Sequence, residues 1–438
     1  MPTPRLLCLF ASLLLFVLDA QAQLEQFIAE QYPAWQATYQ HLHRNPELSQ
    51  QEKETSAFLA EKMRRLGFDV QENFGEYGVV AVLKNGKGKT LLLRTDTDAL
   101  PVQEQTGLPY SSQKQMPRAD GGPALPVMHA CGHDMHMSVW LATAEAAVAF
   151  KNTWTGTLVM IAQPSEEIGT GAKAMLEAGL YKKYPVPDYA VALHVSAGMP
   201  AGTIGFCKGP AMANVDMVNI KVFGEGGHGA YPHLTKDPIV LAARIVLALQ
   251  TIVSREISPL EPAVVTVGAI HGGTKHNIIP PEVKLELTLR SYTEAVREQT
   301  LAAIRRIIRH TALSAGMSED RLPVLEIEGN SLPAVDNDAA LTEQLYLAVG
   351  EALGKDRIQW TTPVMGAEDF SLYGRTPERV PISLFWLGAV SEQTIAAHQK
   401  AGTPLPSLHS PYFAPDPGPT LRNGTQAMLT VVQTLLKK

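Results

Sequence analysis

Residues 157–167 read Thr-Leu-Val-Met-Ile-Ala-Gln-Pro-Ser-Glu-Glu. No polar residue interrupts Leu158 to Ala162, so a strand here buries both faces rather than alternating between core and water. Residues 189–194 form a second apolar run of strand length, and residues 79–83 and 90–95 form two more around the turn residues Asn85-Gly86-Lys87-Gly88. Between these runs lie helical patterns. Residues 53–66 place Leu59, Met63 and Leu66 on one face and stop at Gly67, and an alanine-rich stretch follows Asp134 as far as Phe150. Doubly buried strands interleaved with helices predict an α/β fold, a mixed sheet covered by helices.

Residues 214–330 follow a different logic. Val218, Ile220 and Val222 alternate, as do Val283, Leu285, Leu287 and Leu289, which predicts strands with one buried face. Asp237-Pro238 caps and opens a helix to about Arg255, residues 263–270 form a strand, Thr293 caps a helix to about Ser314, and residues 324–328 close the series. The order β-α-β-β-α-β is that of a ferredoxin-like α+β sandwich. The expected organisation is therefore a discontinuous domain, 23–213 with 331–438, carrying an inserted domain at 214–330.

Composition narrows the function. The chain has 438 residues, 45% hydrophobic and 18% charged, with a formal net charge of -6. A sizeable core is available, and no basic excess exists to neutralise phosphates, so nucleic-acid partners are not expected. Three cysteines exclude a disulfide scaffold. The N-terminus has Arg5, an apolar run over residues 6–18, and Ala20-Gln21-Ala22, which together read as a secretory signal peptide over residues 1–22. Export to a periplasmic or secreted location is expected, with Cys8 removed, leaving Cys131 and Cys207. No later segment is expected to span a membrane.

Four features carry chemistry. His129-Ala130-Cys131-Gly132-His133-Asp134-Met135-His136 places three histidines, a thiol and a carboxylate within eight residues, in a chain with 13 histidines in all. These are ligand types for zinc and related divalent ions, and Gly132 lets the backbone turn so that Cys131 and His133 converge. Glu166 and Glu167 stand at the carboxyl end of a buried strand, where ligand sites of open α/β sheets gather; one carboxylate can hold metal while the other moves protons. His194 ends another apolar strand, and Arg94-Thr95-Asp96-Thr97-Asp98 follows a third.

These residues resemble the metal-dependent amidohydrolases, a family that includes hippurate hydrolases, N-acyl-amino-acid amidohydrolases, auxin-conjugate hydrolases and related zinc carboxypeptidases. The resemblance runs through nearly the whole mature chain. It is carried by His43-Arg44-Asn45-Pro46-Glu47-Leu48, residues 94–101, His129 to Asp134, Pro164 to Glu167, Gly226-Gly227-His228-Gly229-Ala230-Tyr231-Pro232-His233, Gly272-Gly273-Thr274 with Asn277, and Gly366-Ala367-Glu368-Asp369-Phe370. It implies a two-metal site with zinc, manganese or cobalt, held by Cys131, His133, Glu167, His194 and His409, with Glu166 as general base and Asp98 supporting a ligand. It also implies that the inserted domain is a lid and a homodimerisation domain, that His228, Asn277 and Arg290 contact substrate, and that a lid residue comes from the partner subunit. Many relatives carry a histidine ligand where this chain has Asp96, and His276 stands where a small or apolar residue is usual. The implied activity is hydrolysis of N-acyl or N-aroyl amino acids. A carboxypeptidase or dipeptidase on the same site, and a periplasmic metal- or ligand-binding protein without turnover, are the alternatives.

Overall fold

The computed structural model describes residues 4–118, 121–329 and 331–438, with side chains from Ala22 onward. The expected signal segment therefore lies outside the described residues for residues 1–3 and for the side chains through Gln21. From Pro4 its backbone belongs to a helix, Pro4–Arg44, whose later part packs Ile28, Trp35, Tyr39 and Leu42 into the core.

The larger sheet has eight strands, in the spatial order Asp69–Gln71, Val79–Asn85, Gly156–Gln163, Thr90–Asp96, Tyr189–Pro200, Ile382–Val390, Ile204–Phe206, Ile358–Trp360. Its centre is parallel: Thr90–Asp96 lies between Gly156–Gln163 and Tyr189–Pro200, and Tyr189–Pro200 pairs in parallel with Ile382–Val390. The run that opened the sequence is buried on both faces, as its pattern requires. Leu158, Met160 and Ala162 enter one core with the helices Lys53–Arg65, His133–Ala149 and Pro417–Leu435, while Val159 and Ile161 enter a second core on the opposite face. Val79–Asn85 and Thr90–Asp96 flank a glycine turn but do not form a hairpin. Gly156–Gln163 lies between them, antiparallel to the first and parallel to the second. Thr155 seals the join, its hydroxyl donating to the carbonyls of Asn85 and Lys87.

The second sheet is antiparallel, in the order Ala263–His271, Glu282–Ser291, Asn214–Phe223, Val324–Ile327. Val218, Ile220, Leu285 and Leu287 pack against Leu241, Ile245, Ile304 and Ile308 of its two helices in a core separate from the other two. Asp237 accepts from the backbone N–H of Ile239 and Val240 to cap Pro238–Thr251, and Thr293 accepts from Val296 N–H to cap Glu294–Ser314. One expectation is corrected here. Pro238–Glu256 is long and apolar enough, by length and composition, to cross a membrane. The apolar excess has two faces to serve: Leu241, Ile245 and Leu249 sit on the sheet, whereas Ile239, Val240 and Leu247 are exposed.

Candidate metal centre

The carboxyl ends of the three central parallel strands converge with one helix N-terminus. Thr90–Asp96 delivers Asp96 and Asp98, Gly156–Gln163 delivers Glu166 and Glu167, Tyr189–Pro200 carries His194, and Cys131 and His133 flank the start of His133–Ala149. Gly132 adopts φ 84°, and a Cβ there would lie 2.5 Å from a Val195 methyl, so the turn between the two candidate ligands requires glycine. His409 comes from a distant loop. Its backbone N–H donates to Ala130 O at 2.9 Å, which ties that loop to the one bearing Cys131. Ser165 and His409 both hold positive φ, 55° and 66°, a conformation that side-chain-bearing residues keep when their surroundings impose it.

Cys131, His133 and His194 offer atoms within 4.8 Å of one another, as do Cys131, Glu167 and His409, and His133, Glu166 and Glu167. Cys131 Sγ lies 3.5 Å from His194 Nε2, and Glu167 Oε2 lies 3.5 Å from His409 Nε2. Tautomers are set by the outer partners. His133 Nδ1 donates to Asp98 O at 2.8 Å and His194 Nδ1 donates to Val195 O at 2.8 Å, so each neutral ring turns an Nε2 lone pair toward the cluster. His133 Nε2 and Glu167 Oε1 are buried without a hydrogen-bond partner and stand 3.9 Å apart. A lone pair and a carboxylate oxygen facing each other this way need a cation, so the donor set fits divalent metal ions.

With no ion bound, the surrounding carboxylates favour a proton on His133, which a metal ion at Nε2 would displace. Burial would depress His133, yet the Asp96 carboxylate, with Asp98 and Glu167, pulls it up to about 10. Burial, aided by Asp98, pushes Glu167 up to about 7 against the opposing His133. Burial and the neighbouring Glu368 and Glu167 carboxyls push Glu166 well above the usual carboxylate range. Glu166 Oε2 lies 3.8 Å from His133 Nε2, close to the cluster and able to hold a proton. Asp98 is fully buried and acts through others: Oδ2 accepts from Ser49 Oγ at 2.6 Å and from Glu167 N–H at 3.0 Å.

The histidine-rich segment 129–136, which runs from a turn into the helix His133–Ala149, does not contribute all its histidines. His136 accepts from Val195 N–H on Nε2 and donates from Nδ1 to Asp96 Oδ1, so both nitrogens are occupied by protein. His129 is buried without partners, and burial lowers it to about 4. Of the expected substrate contacts, Arg290 lines the same cavity of about 710 Å³ as the candidate ligands, with one guanidinium nitrogen donating to Met365 O at 2.5 Å. His228 and Asn277 adjoin each other, Gly229 N–H donating to Asn277 O, but they are exposed and outside that cavity.

Three supports escaped the sequence reading. Arg94, fully buried, donates to Asp96, Gln163, Glu368 and Asp369, and so anchors the floor beneath Glu166. His43 bridges Asp134 at 2.6 Å and Glu104 at 3.0 Å. Buried Glu52 accepts from Ser165 N–H at 2.7 Å, and Gln50 N–H donates to Ser165 Oγ at 2.9 Å, clamping the turn that presents Glu166. His43, Arg94 and Glu368 stood within family motifs, but no local pattern assigned their partners.

Carboxylates, imidazoles and a thiol around a cavity at the head of a parallel sheet define a candidate metal-dependent enzyme site. Comparison with known proteins agrees. The description of peptidase family M20/M25/M40 matches residues 92–406. A thermostable carboxypeptidase of Saccharolobus solfataricus is 36% identical over 356 residues, 80% of this chain and 85% of that one. The hippurate hydrolase of Campylobacter jejuni is 36% identical over 339 residues, 76% and 82% of the two chains. The solved YXEP protein of Bacillus subtilis, a dinuclear metal-binding peptidase from the M20 family, is 28% identical with a TM-score of 0.73, covering 92% of this chain and 99% of that one. The chain belongs to peptidase family M20/M25/M40 and is a metal-dependent amidohydrolase or peptidase. A metal- or ligand-binding protein without turnover is thereby set aside.

Proposed function

We propose that the protein hydrolyses the amide bond of N-acyl or N-aroyl amino acids, with Cys131, His133, Glu167, His194 and His409 holding two divalent ions. The observation that carries this reading is Glu166 standing at the edge of that ligand cluster, in a cavity whose far wall presents Arg290. Two bound ions would polarise the amide carbonyl and lower the pKa of a water between them. Glu166 takes the proton of the attacking water and hands it to the leaving amine; its burial keeps that proton from escaping to solvent. Asp98 fixes the His133 tautomer and, through Glu167 N–H, the turn bearing both glutamates. Arg290 has no carboxylate partner among the described residues, and its planar fork suits the substrate's carboxylate.

In this reading 214–330 is the lid and the dimerisation domain. Strand Ala263–His271 is an unpaired sheet edge, and Ile239, Val240 and Leu247 form an exposed apolar face beside it. Exposed His228 lies outside its own cavity, which supports the partner subunit's His228 completing the site, beside Asn277. Residues 1–22 act as an export signal, placing the enzyme in the periplasm or outside the cell. The N-terminal residue of the mature protein and its mass in solution test both points.

The carboxypeptidase reading stays in view because a carboxypeptidase-named relative is 36% identical. A panel of N-acyl amino acids and dipeptides, with and without chelator, separates the two. Turnover is expected on the N-acyl series, lost on chelation and restored by zinc, manganese or cobalt. Glu166→Gln is expected to keep its bound ions and lose activity by about 100-fold or more. Chelator-insensitive turnover, or near-normal activity of Glu166→Gln, overturns the reading.

A further inference from the structure

A second chamber, of about 620 Å³, adjoins the cavity that holds Arg290, with His194 in the lining of both. The two share His194, Met212, Gly366 and Leu408, so of the candidate ligands His194 borders both. Their chemistry differs. Arg290 is the one Arg or Lys lining the first cavity among the described residues, and that cavity also carries the glutamates. The second has no Asp, Glu, Lys or Arg in its lining, and its walls include Met199, Val364, Trp386 and Leu405. The Trp386 ring lies 5.5 Å from the His194 ring, so this apolar wall begins directly at a candidate ligand. Thioethers beside an aromatic ring make an adaptable surface for flat or branched apolar groups.

We propose that the second chamber is the acyl subsite and selects bulky uncharged acyl or aroyl groups over acetyl. This deepens the amide-hydrolysis reading and rests on it. An N-acyl amino acid has two arms leaving the scissile amide. The arm that ends in a carboxylate goes to Arg290, and the other, uncharged, has the charge-free chamber. A free dipeptide would put an α-ammonium next to the scissile carbonyl, and the chamber has no carboxylate to receive it. Blocked substrates are therefore preferred to free dipeptides, and the size of the acyl group, rather than of the amino acid, is read at Met199, Val364 and Trp386.

Val364 is 38% exposed and can be enlarged without burying new atoms in a closed core. A Cβ at Gly198, also in the lining, would meet only Ser196 Oγ at 3.9 Å, so Gly198→Leu supplies a second, independent filling variant. The experiment compares N-benzoylglycine with N-acetylglycine, as the ratio of their kcat/KM, in the metal-loaded wild type, Val364→Trp and Gly198→Leu. The wild type is expected to favour benzoyl, and each variant to lower the ratio by about tenfold or more. The same pair is titrated calorimetrically into Glu166→Gln with and without Val364→Trp, which reads the chamber without turnover. If no substrate is turned over yet benzoyl binding is favoured and lost in Val364→Trp, the activity reading fails and the chamber stands. A turnover or binding ratio that the filling variants leave within about twofold of wild type overturns the acyl subsite.

Discussion

Gly132→Ala isolates the geometry that brings Cys131 and His133 together. Two costs arise. Alanine at φ 84° sits in the left-handed region, which costs an L-residue roughly 1–2 kcal/mol. Its methyl would stand 2.5 Å from Val195 Cγ2, in a strand whose Val195 N–H is bonded to His136, so the overlap adds overpacking of about 1–3 kcal/mol. Together the variant should lose about 2–5 kcal/mol. Urea unfolding in the presence of chelator measures this on the protein alone, and metal content after dialysis measures the effect on ion retention, which should fall. The two costs separate in a double-mutant cycle with Val195→Ala. Truncating the valine removes the overlap but not the strain, so the double variant should be more stable than the sum of the singles predicts by about 1–3 kcal/mol. A loss below about 1 kcal/mol for Gly132→Ala, or strict additivity with Val195→Ala, refutes the reasoning.

Other expectations follow from the buried ion pairs. Arg94→Met removes the cation among Asp96, Glu368 and Asp369 and should cost about 3–5 kcal/mol in urea unfolding. Burial already holds Asp369 up at about 8 with Arg94 present, so ionising it opposes folding as pH rises, and the gap to wild type should be wider at pH 8 than at pH 6; a uniform loss under about 1 kcal/mol contradicts this account. Burial is the largest single effect on His43 and lowers it, but Asp134 and Glu104 together outweigh it and raise it to about 9. Its contribution is full below the unfolded value near 6.5 and disappears as pH rises through about 9, on the order of 3 kcal/mol. Stability measured from pH 6 to 9 should fall more steeply in wild type than in His43→Gln, and equal slopes would remove the imidazolium from the argument.

The parts of this molecule legible in its sequence are those written locally. Residues 157–163 announced a doubly buried strand because no polar residue breaks the run, and Cys131, His133, Glu166 and Glu167 announced themselves by proximity in the chain. Pairing was not local. Nothing in the Asn85-Gly86 turn shows that Gly156–Gln163 will lie between the strands it joins, because that choice is made by a segment about 70 residues away. His194 and His409 are single histidines whose meaning came from family likeness, since their partners lie far off in sequence. Arg94 was visible only as part of a motif. Its partners Glu368 and Asp369 sit 274 and 275 residues away, and a charge that is salt-bridged in a core looks in sequence like one in water. Asp98 was readable as a supporting group only through family likeness, and the clamp from Gln50 and Glu52 onto Ser165 pairs backbone N–H groups with side-chain oxygens from segments more than 100 residues apart, which the sequence does not announce.

The tether between His409 N–H and Ala130 O also has a bearing on biosynthesis. Four of the five candidate ligands have been synthesised once the chain reaches His194, but the fifth arrives more than 200 residues later. A nascent chain thus offers an ion only an open, incomplete set of donors. Long-range closure of this kind is slow to form, because loop entropy is lost before any contact rewards it. Ion capture by all five candidate ligands would then come at the end of folding, and an unfinished chain would have little means of acting on amide bonds.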